Sequence, residues 1–208
     1  HAVRACLVTT RDREQAIKEL EHLLKHYPGA SIAPEVQLKL AVLLEEAQEF
    51  KKAFENYKSL QKNYPQFEQA DGVIRREYDL GHIFLNGLRR KVMGVPILPS
   101  VPLAVEVFQH IVDTAPFSAY GSQAQFYLGE ALRKLGRFEE SVKAFQAVSE
   151  IYPQSDLASG AKFQAAETQL IMSSTVNRDQ QGLAQAREQF EDFLKSNYSK
   201  MPRTMLRY

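Results

Sequence analysis

Between residues 37 and 65 apolar side chains return every three to four positions, in two runs separated by a short polar turn and closed by Tyr64-Pro65. That spacing puts them on one face of each of two consecutive helices. Residues 125–153 repeat the arrangement without a gap: "QLKLAVLLEEAQEFKKAFENYKSLQKNYP" lies over "QFYLGEALRKLGRFEESVKAFQAVSEIYP". In the first helix of each pair Leu40, Ala41 and Leu44 match Leu128, Gly129 and Leu132. The small residues at 41 and 129 are expected to let two helices approach closely. In the second helix Ala53, Tyr57 and Leu60 match Ser141, Phe145 and Val148, the stripe of one buried face. Proline disfavours helical backbone at the residue before it, so the Tyr-Pro pairs at 27–28, 64–65 and 152–153 stop three second helices at equivalent places.

Self-similarity at this period predicts a repeat array. The pattern resembles the tetratricopeptide repeat, a helix–turn–helix unit of about 34 residues marked by a Leu-Gly pair, a turn glycine, an alanine, an aromatic and a closing proline. Leu128-Gly129, Gly136, Phe145 and Pro153 carry those marks, with Ser141 in place of the alanine. The copy at 37–65 keeps Ala53 and Pro65 but has Gln48 where the turn glycine belongs, and the chain contains no Trp. Extending the register gives about five units, at 1–28, 33–65, 69–116, 119–153 and 155–198. The first holds Ala16, Leu20 and Leu23. The third holds Leu80-Gly81, Ala104, Phe108 and Ile111, and the fifth is closed by Phe190 and Phe193. The expected fold is an all-α, right-handed α-solenoid over residues 1–208, each unit stacking on its neighbours with no domain boundary.

One segment departs from the period. "NGLRRKVMGVPILPSVP", residues 86–102, falls inside the third repeat, between helices expected near 69–88 and 101–114. Asn86-Gly87 predicts a chain reversal, and Pro96, Pro99 and Pro102 predict an extended loop. Two readings coexist. Val95, Ile97 and Leu98 can fold back over a gap between helices, and the cationic, proline-stiffened loop can dock another protein, since insertions in repeat arrays cluster on one face.

Composition narrows the function classes. With 44% hydrophobic and 25% charged residues the chain has the make-up of an ordinary globular protein. A net charge of +1 gives no overall pull toward nucleic acid or anionic lipid. A single cysteine, Cys6, excludes an intrachain disulfide framework and is expected to be a buried structural thiol. No run approaches the roughly 20 apolar residues that span a bilayer. Glycine-rich phosphate loops, His-Glu-x-x-His and nucleophile elbows are missing from the sequence, so neither an enzyme nor a cofactor is expected.

Three stretches together resemble the BamD-type (YfiO/ComL) outer-membrane assembly lipoproteins: "YPGASIAPEVQ" with "FKKAFENYKSLQKNYP", then "FLNGLRRKVMGVPILP", then "PFSAYGSQAQFYLGEALRKLGRFEESVKAFQAVSEIYPQS". The periplasmic adaptor related to YbgF uses very similar "YPxS..AP" repeats; the lengthened third repeat favours the BamD type. The resemblance implies a non-catalytic scaffold of five repeats on the periplasmic face of the outer membrane. Its implied partners are insertase components and client polypeptides, and it touches the membrane only through a lipid anchor. "AVRAC" is a poor lipidation site because Arg4 stands where a small residue is expected. The chain opens with His, so a trimmed mature region with its anchor upstream is the expectation.

The register also nominates a binding row. Leu38, Tyr78, Phe126 and Phe163 follow one another at a first-helix position that looks toward the concave face in tetratricopeptide arrays, and Val42, His82, Glu130 and Glu167 form a more polar lane beside them. They line a polypeptide groove or else pack against the neighbouring repeat. The loop adds Arg89, Arg90, Lys91, Ile97 and Leu98 as a docking element. Arg75 and Arg76 can join the loop cations in a basic patch for an acidic partner; without interleaved aromatics it does not suit nucleic acid. His22 and His26 stand four apart but lack a third ligand, so a solvated helix face is expected there rather than a metal. The expected function is therefore protein interaction in outer-membrane β-barrel assembly. A YbgF-like adaptor, or a binding domain of a larger protein such as the regulatory part of an enzyme, is the alternative.

Overall fold

The computed structural model describes residues 10–67, 70–92, 95–97, 100–175, 187–189 and 191–192. Cys6 and residues 193–208 lie outside them, as does Phe190. The described elements are α1 (Thr10–His26), α2 (Ala33–Glu46), α3 (Phe50–Asn63), α4 (Ala70–Asn86), β1 (Leu88–Val92), β2 (Val95–Ile97), α5 (Val101–Thr114), α6 (Gly121–Lys134), α7 (Phe138–Ile151) and α8 (Ala158–Thr175). The helix pairs α2–α3, α4–α5 and α6–α7 are the expected repeats two, three and four. α1 is the second helix of repeat one and α8 the first of repeat five.

The chain divides into two compact units, His1–Leu80 and Gly81–Tyr208, with the division inside α4.

In the first unit α2 contributes Leu40, Ala41, Leu43 and Leu44 to the core, and α3 contributes Ala53, Phe54, Tyr57 and Leu60. The buried stripe of α1 is Ala16, Ile17 and Leu20, whereas Leu23, expected in it, is 40% exposed. At about 100° per residue Leu23 lies on the same helical face as Ala16 and Leu20, so its exposure reflects its place in the last turn of α1 and not a change of face. The α2–α3 turn is made by Gln48 in the left-handed region, φ +63°, with the Gln48 and Glu49 amides donating to Glu45 O and Leu44 O. Gly136 does the same between α6 and α7 at φ +74°. The missing glycine of repeat two is thus replaced without a change of turn, at the cost of a side chain in strained backbone.

In the second unit the close approach expected at Gly129 is present. A Cβ built on Gly129 would lie 2.8 Å from Cδ1 and Cε1 of Phe145, and one on Gly81 would lie 2.6 Å from Cε1 of Phe108. Ser141, which stands where the repeat pattern has alanine, donates its hydroxyl to Gly129 O at 2.8 Å and is fully buried. Phe126, Val142, Phe145, Val148, Ala161 and Ala165 form one cluster, with Tyr127 and Leu157 packed against it.

The proline-rich insertion is not the extended loop expected. Gly87 ends α4 at φ +71°, its amide donating to Ile83 O. β1 and β2 then pair antiparallel, with Leu88 opposite Ile97, Lys91 opposite Pro96 and Val92 opposite Val95. The register shifts between Leu88 and Lys91, so Arg89 and Arg90 occupy an irregular part of the ladder. Ser100 N donates to Phe84 O at 2.6 Å, returning the chain to α4. An otherwise all-α fold therefore carries a small two-stranded sheet.

Candidate interaction surface

The closing tyrosines do more than precede a proline. Tyr64 OH donates to Pro28 O at 2.8 Å, and Tyr152 OH donates to Pro116 O at 2.9 Å, each reaching back 36 residues. The end of one repeat is thereby tied to the end of the one before it. The Tyr-Pro recurrence was visible in the sequence, but it was read only as a helix stop.

The proposed row takes two different environments. In the first unit Leu38, Val42 and Tyr78 are half-buried. In the second, His82, Glu130 and Phe163 are half-buried, whereas Phe126 is 7% exposed. The Phe126 ring meets Phe145 edge-on, with centroids 5.3 Å apart, and so belongs to the core of repeat four instead of offering a face to a partner. The reason lies in the stacking: α8 follows α6 and α7, and Ala161 and Ala165 leave room that the Phe126 side chain fills. His82 is drawn toward rings as well. It sits edge-on to Tyr127 at 4.3 Å and to Phe108 at 5.6 Å, while Phe108 stacks on Tyr127 at 5.8 Å.

Charges beside the row join first helices of successive repeats. Arg76 Nη1 donates to Glu45 Oε2 at 2.6 Å in the first unit, and Arg133 Nη1 donates to Glu167 Oε2 at 2.8 Å in the second. Arg76 is thus engaged with a carboxylate, which removes it from the basic patch proposed with Arg75. Tyr57 lies beside the Arg76–Glu45 pair. Burial and the Glu45 carboxylate hold its phenol far above its ordinary range, against a smaller opposing effect of Arg76. Burial also raises Glu130, opposed by the nearby Arg133 and Lys134.

For the loop residues, the structure describes the backbone of Arg89, Arg90, Lys91 and Ile97 within β1 and β2; Leu98 lies outside the described residues. The turns between paired helices span 47–49 in repeat two and 135–137 in repeat four, against 87–100 in repeat three. An open pocket of about 460 Å³ lies between the start of α2 and the end of α3, lined by Pro34, Glu35, Asn63, Tyr64, Pro65, Gln66 and Phe67. No sequence signal marked it.

Sequence reasoning used Gln37 and Gln125 only as register marks and missed that they are buried, together with Glu77 at the same position of repeat three. Their recurrence, where this repeat commonly has Trp, was the available signal. His22 and His26 are exposed, with rings 4.0 Å apart and His26 Nδ1 within 2.9 Å of His22 O. Among the described residues no group of three or more His, Cys, Asp or Glu is placed to hold a metal, and no helix is long and apolar enough to cross a membrane.

The tetratricopeptide repeat family model matches residues 35–66 and 123–155, which are repeats two and four and make up less than half of the chain. No curated protein matches the chain. Among solved structures it is similar to MamA from Desulfovibrio magneticus RS-1, at 16% identity over 92% of this chain and 89% of that one, with a TM-score of 0.46. It is likewise similar to MamA of AMB-1, at 16% identity over 94% and 95% of the two chains, with a TM-score of 0.48. At these scores the likenesses decide nothing about role.

Proposed function

We propose that this chain is a non-catalytic scaffold for the assembly of outer-membrane β-barrel proteins, acting at the periplasmic face of the outer membrane. Tetratricopeptide repeats are a protein–protein interaction architecture, and two of them match here. The finer reading rests on one observation: the third repeat is lengthened by the cationic segment 87–100, the feature that favours a BamD-type lipoprotein over a YbgF-like adaptor. On this reading the half-buried Leu38, Tyr78 and Phe163, with Val42, His82 and Glu130, receive client or partner polypeptide, and the segment around Arg89 to Lys91 docks the insertase. Phe126 supports the row from within the core.

Depletion of the protein in its native bacterium tests the proposal. Folded, heat-modifiable β-barrel proteins in the outer membrane are expected to fall several-fold while inner-membrane proteins hold steady. Unchanged barrel levels after depletion would overturn it, and would favour an adaptor of the YbgF kind that links envelope complexes without barrel clients.

A further inference from the structure

Three buried polar side chains share one register position in successive repeats: Gln37 at 7% exposure, Glu77 at 0% and Gln125 at 5%. The two glutamines use it alike. Gln125 Nε2 donates to Ala144 O at 3.1 Å, and Gln37 Nε2 donates to Asn56 Oδ1, each reaching the second helix of its own repeat. At this position, then, the glutamines donate a hydrogen bond, and Glu77 accepts one from Gln61. An amide does both at any pH. A carboxylate only accepts, whereas a neutral carboxylic acid can also donate, through one O–H where the amide has two N–H donors.

Glu77 is also the most enclosed of the three. Its Oε2 accepts from Gln61 Nε2 on α3 at 3.0 Å, and the other buried residues of α4 around it in sequence are Val73, Ile74 and Leu80. A full charge in such surroundings carries a heavy desolvation cost. We infer that Glu77 is a proton-operated latch in the third repeat: as a neutral acid it completes the polar seam that its glutamine counterparts form, and on ionising it loosens the seat of α4 on α3.

The charges around it agree with this. Burial pushes the carboxyl up to about 8, against the weaker opposing pull of the Gln61 hydrogen bond and of Lys58, both on α3. Arg76, the residue before it on α4, is held by Glu45 of α2, with Tyr57 of α3 beside that pair. Because the folded value lies above the ordinary 4.5, the folded state binds more protons than the unfolded chain between the two values. Stability conferred by the neutral acid is complete below about 4.5, is lost as pH rises toward about 8, and is level above that. The inference does not depend on the proposed role in barrel assembly.

The test compares the intact protein, Glu77→Gln and Gln125→Glu in urea unfolding between pH 5 and pH 9. The unsubstituted protein is expected to lose midpoint steadily across that range, Glu77→Gln to be flatter and to have the higher midpoint at pH 9, and Gln125→Glu to steepen the loss. Hydrogen exchange, corrected for the chemical rate, should show α4 amides losing on the order of tenfold protection or more between pH 6 and pH 9. The same slope in Glu77→Gln as in the unsubstituted protein would overturn the inference. Should that variant not fold, carbon-13 NMR of the unsubstituted protein decides: a Glu77 carboxyl titrating near 8 upholds the latch, and one titrating near 4.5 refutes it.

Discussion

Replacing Gly129 with alanine sets two effects of known size against each other. Helix propensity alone favours alanine by about 1 kcal/mol. Against it stands the Phe145 ring, since the new Cβ would lie 2.8 Å from Cδ1 and Cε1 and 3.0 Å from Cγ. The near edge of the ring is involved, and the ring has nowhere to go. Phe145 is fully buried, meets Phe126 edge-on, and has the Arg133 guanidinium 5.7 Å from its ring centre. Overpacking of this kind costs about 1–3 kcal/mol, so the net expectation is a loss of about 1–2 kcal/mol. Equilibrium urea unfolding measures it, with an unchanged m-value showing that the transition itself is the same. In a Phe145→Leu background the clash is relieved, and Gly129→Ala should become neutral or stabilising, giving a coupling of at least about 1 kcal/mol in a double-mutant cycle. Ala41→Gly at the matching position of repeat two, where Ala41 is fully buried, should destabilise. If Gly129→Ala by itself stabilised the protein by about 1 kcal/mol, the tight packing of these helix pairs would be refuted.

Three further substitutions probe other parts of the account. Gln48→Gly relieves a side chain at φ +63° and should raise the urea midpoint by the equivalent of about 0.5–1 kcal/mol, while Gly136→Ala should lower it. Tyr152→Phe removes the hydroxyl that ties α7 back to Pro116 and should cost about 1 kcal/mol by the same measurement; no loss would make the tie incidental. Phe126→Ala should destabilise by about 3–5 kcal/mol as a core truncation. Leu38→Ala, at a half-buried site, should cost clearly less stability yet reduce recovery of partner polypeptide from envelope extract, and unchanged recovery would remove Leu38 from the binding row.

The helix pairs were legible because two repeats align without a gap, and a proline or glycine fixes where each helix ends. Helices expected near 69–88 and 101–114 are found at Ala70–Asn86 and Val101–Thr114 for the same reason. The hairpin was not legible. A strand carrying Pro96, paired through a Met-Gly connection and broken at Arg89–Arg90, lacks the alternation and turn signals that announce one. Phe126 shows a different limit: a register places a side chain on a helix face, but whether that face is wall or filling depends on how closely the next repeat approaches. Glu77 shows a third. Its position was readable, yet a glutamate in a glutamine's place gains meaning only once it is known to be buried.

The scaffold reading is tested most directly where the repeat pattern is interrupted. A photoreactive amino acid placed at Arg90 of the full-length protein, in living cells of its native host, would report what the hairpin touches. The account predicts an adduct with the β-barrel component of an outer-membrane insertase, abolished by charge reversal at Arg89 and Lys91. Normal expression with adducts only to proteins outside the envelope, and no insertase captured from any position between 89 and 92, would contradict it.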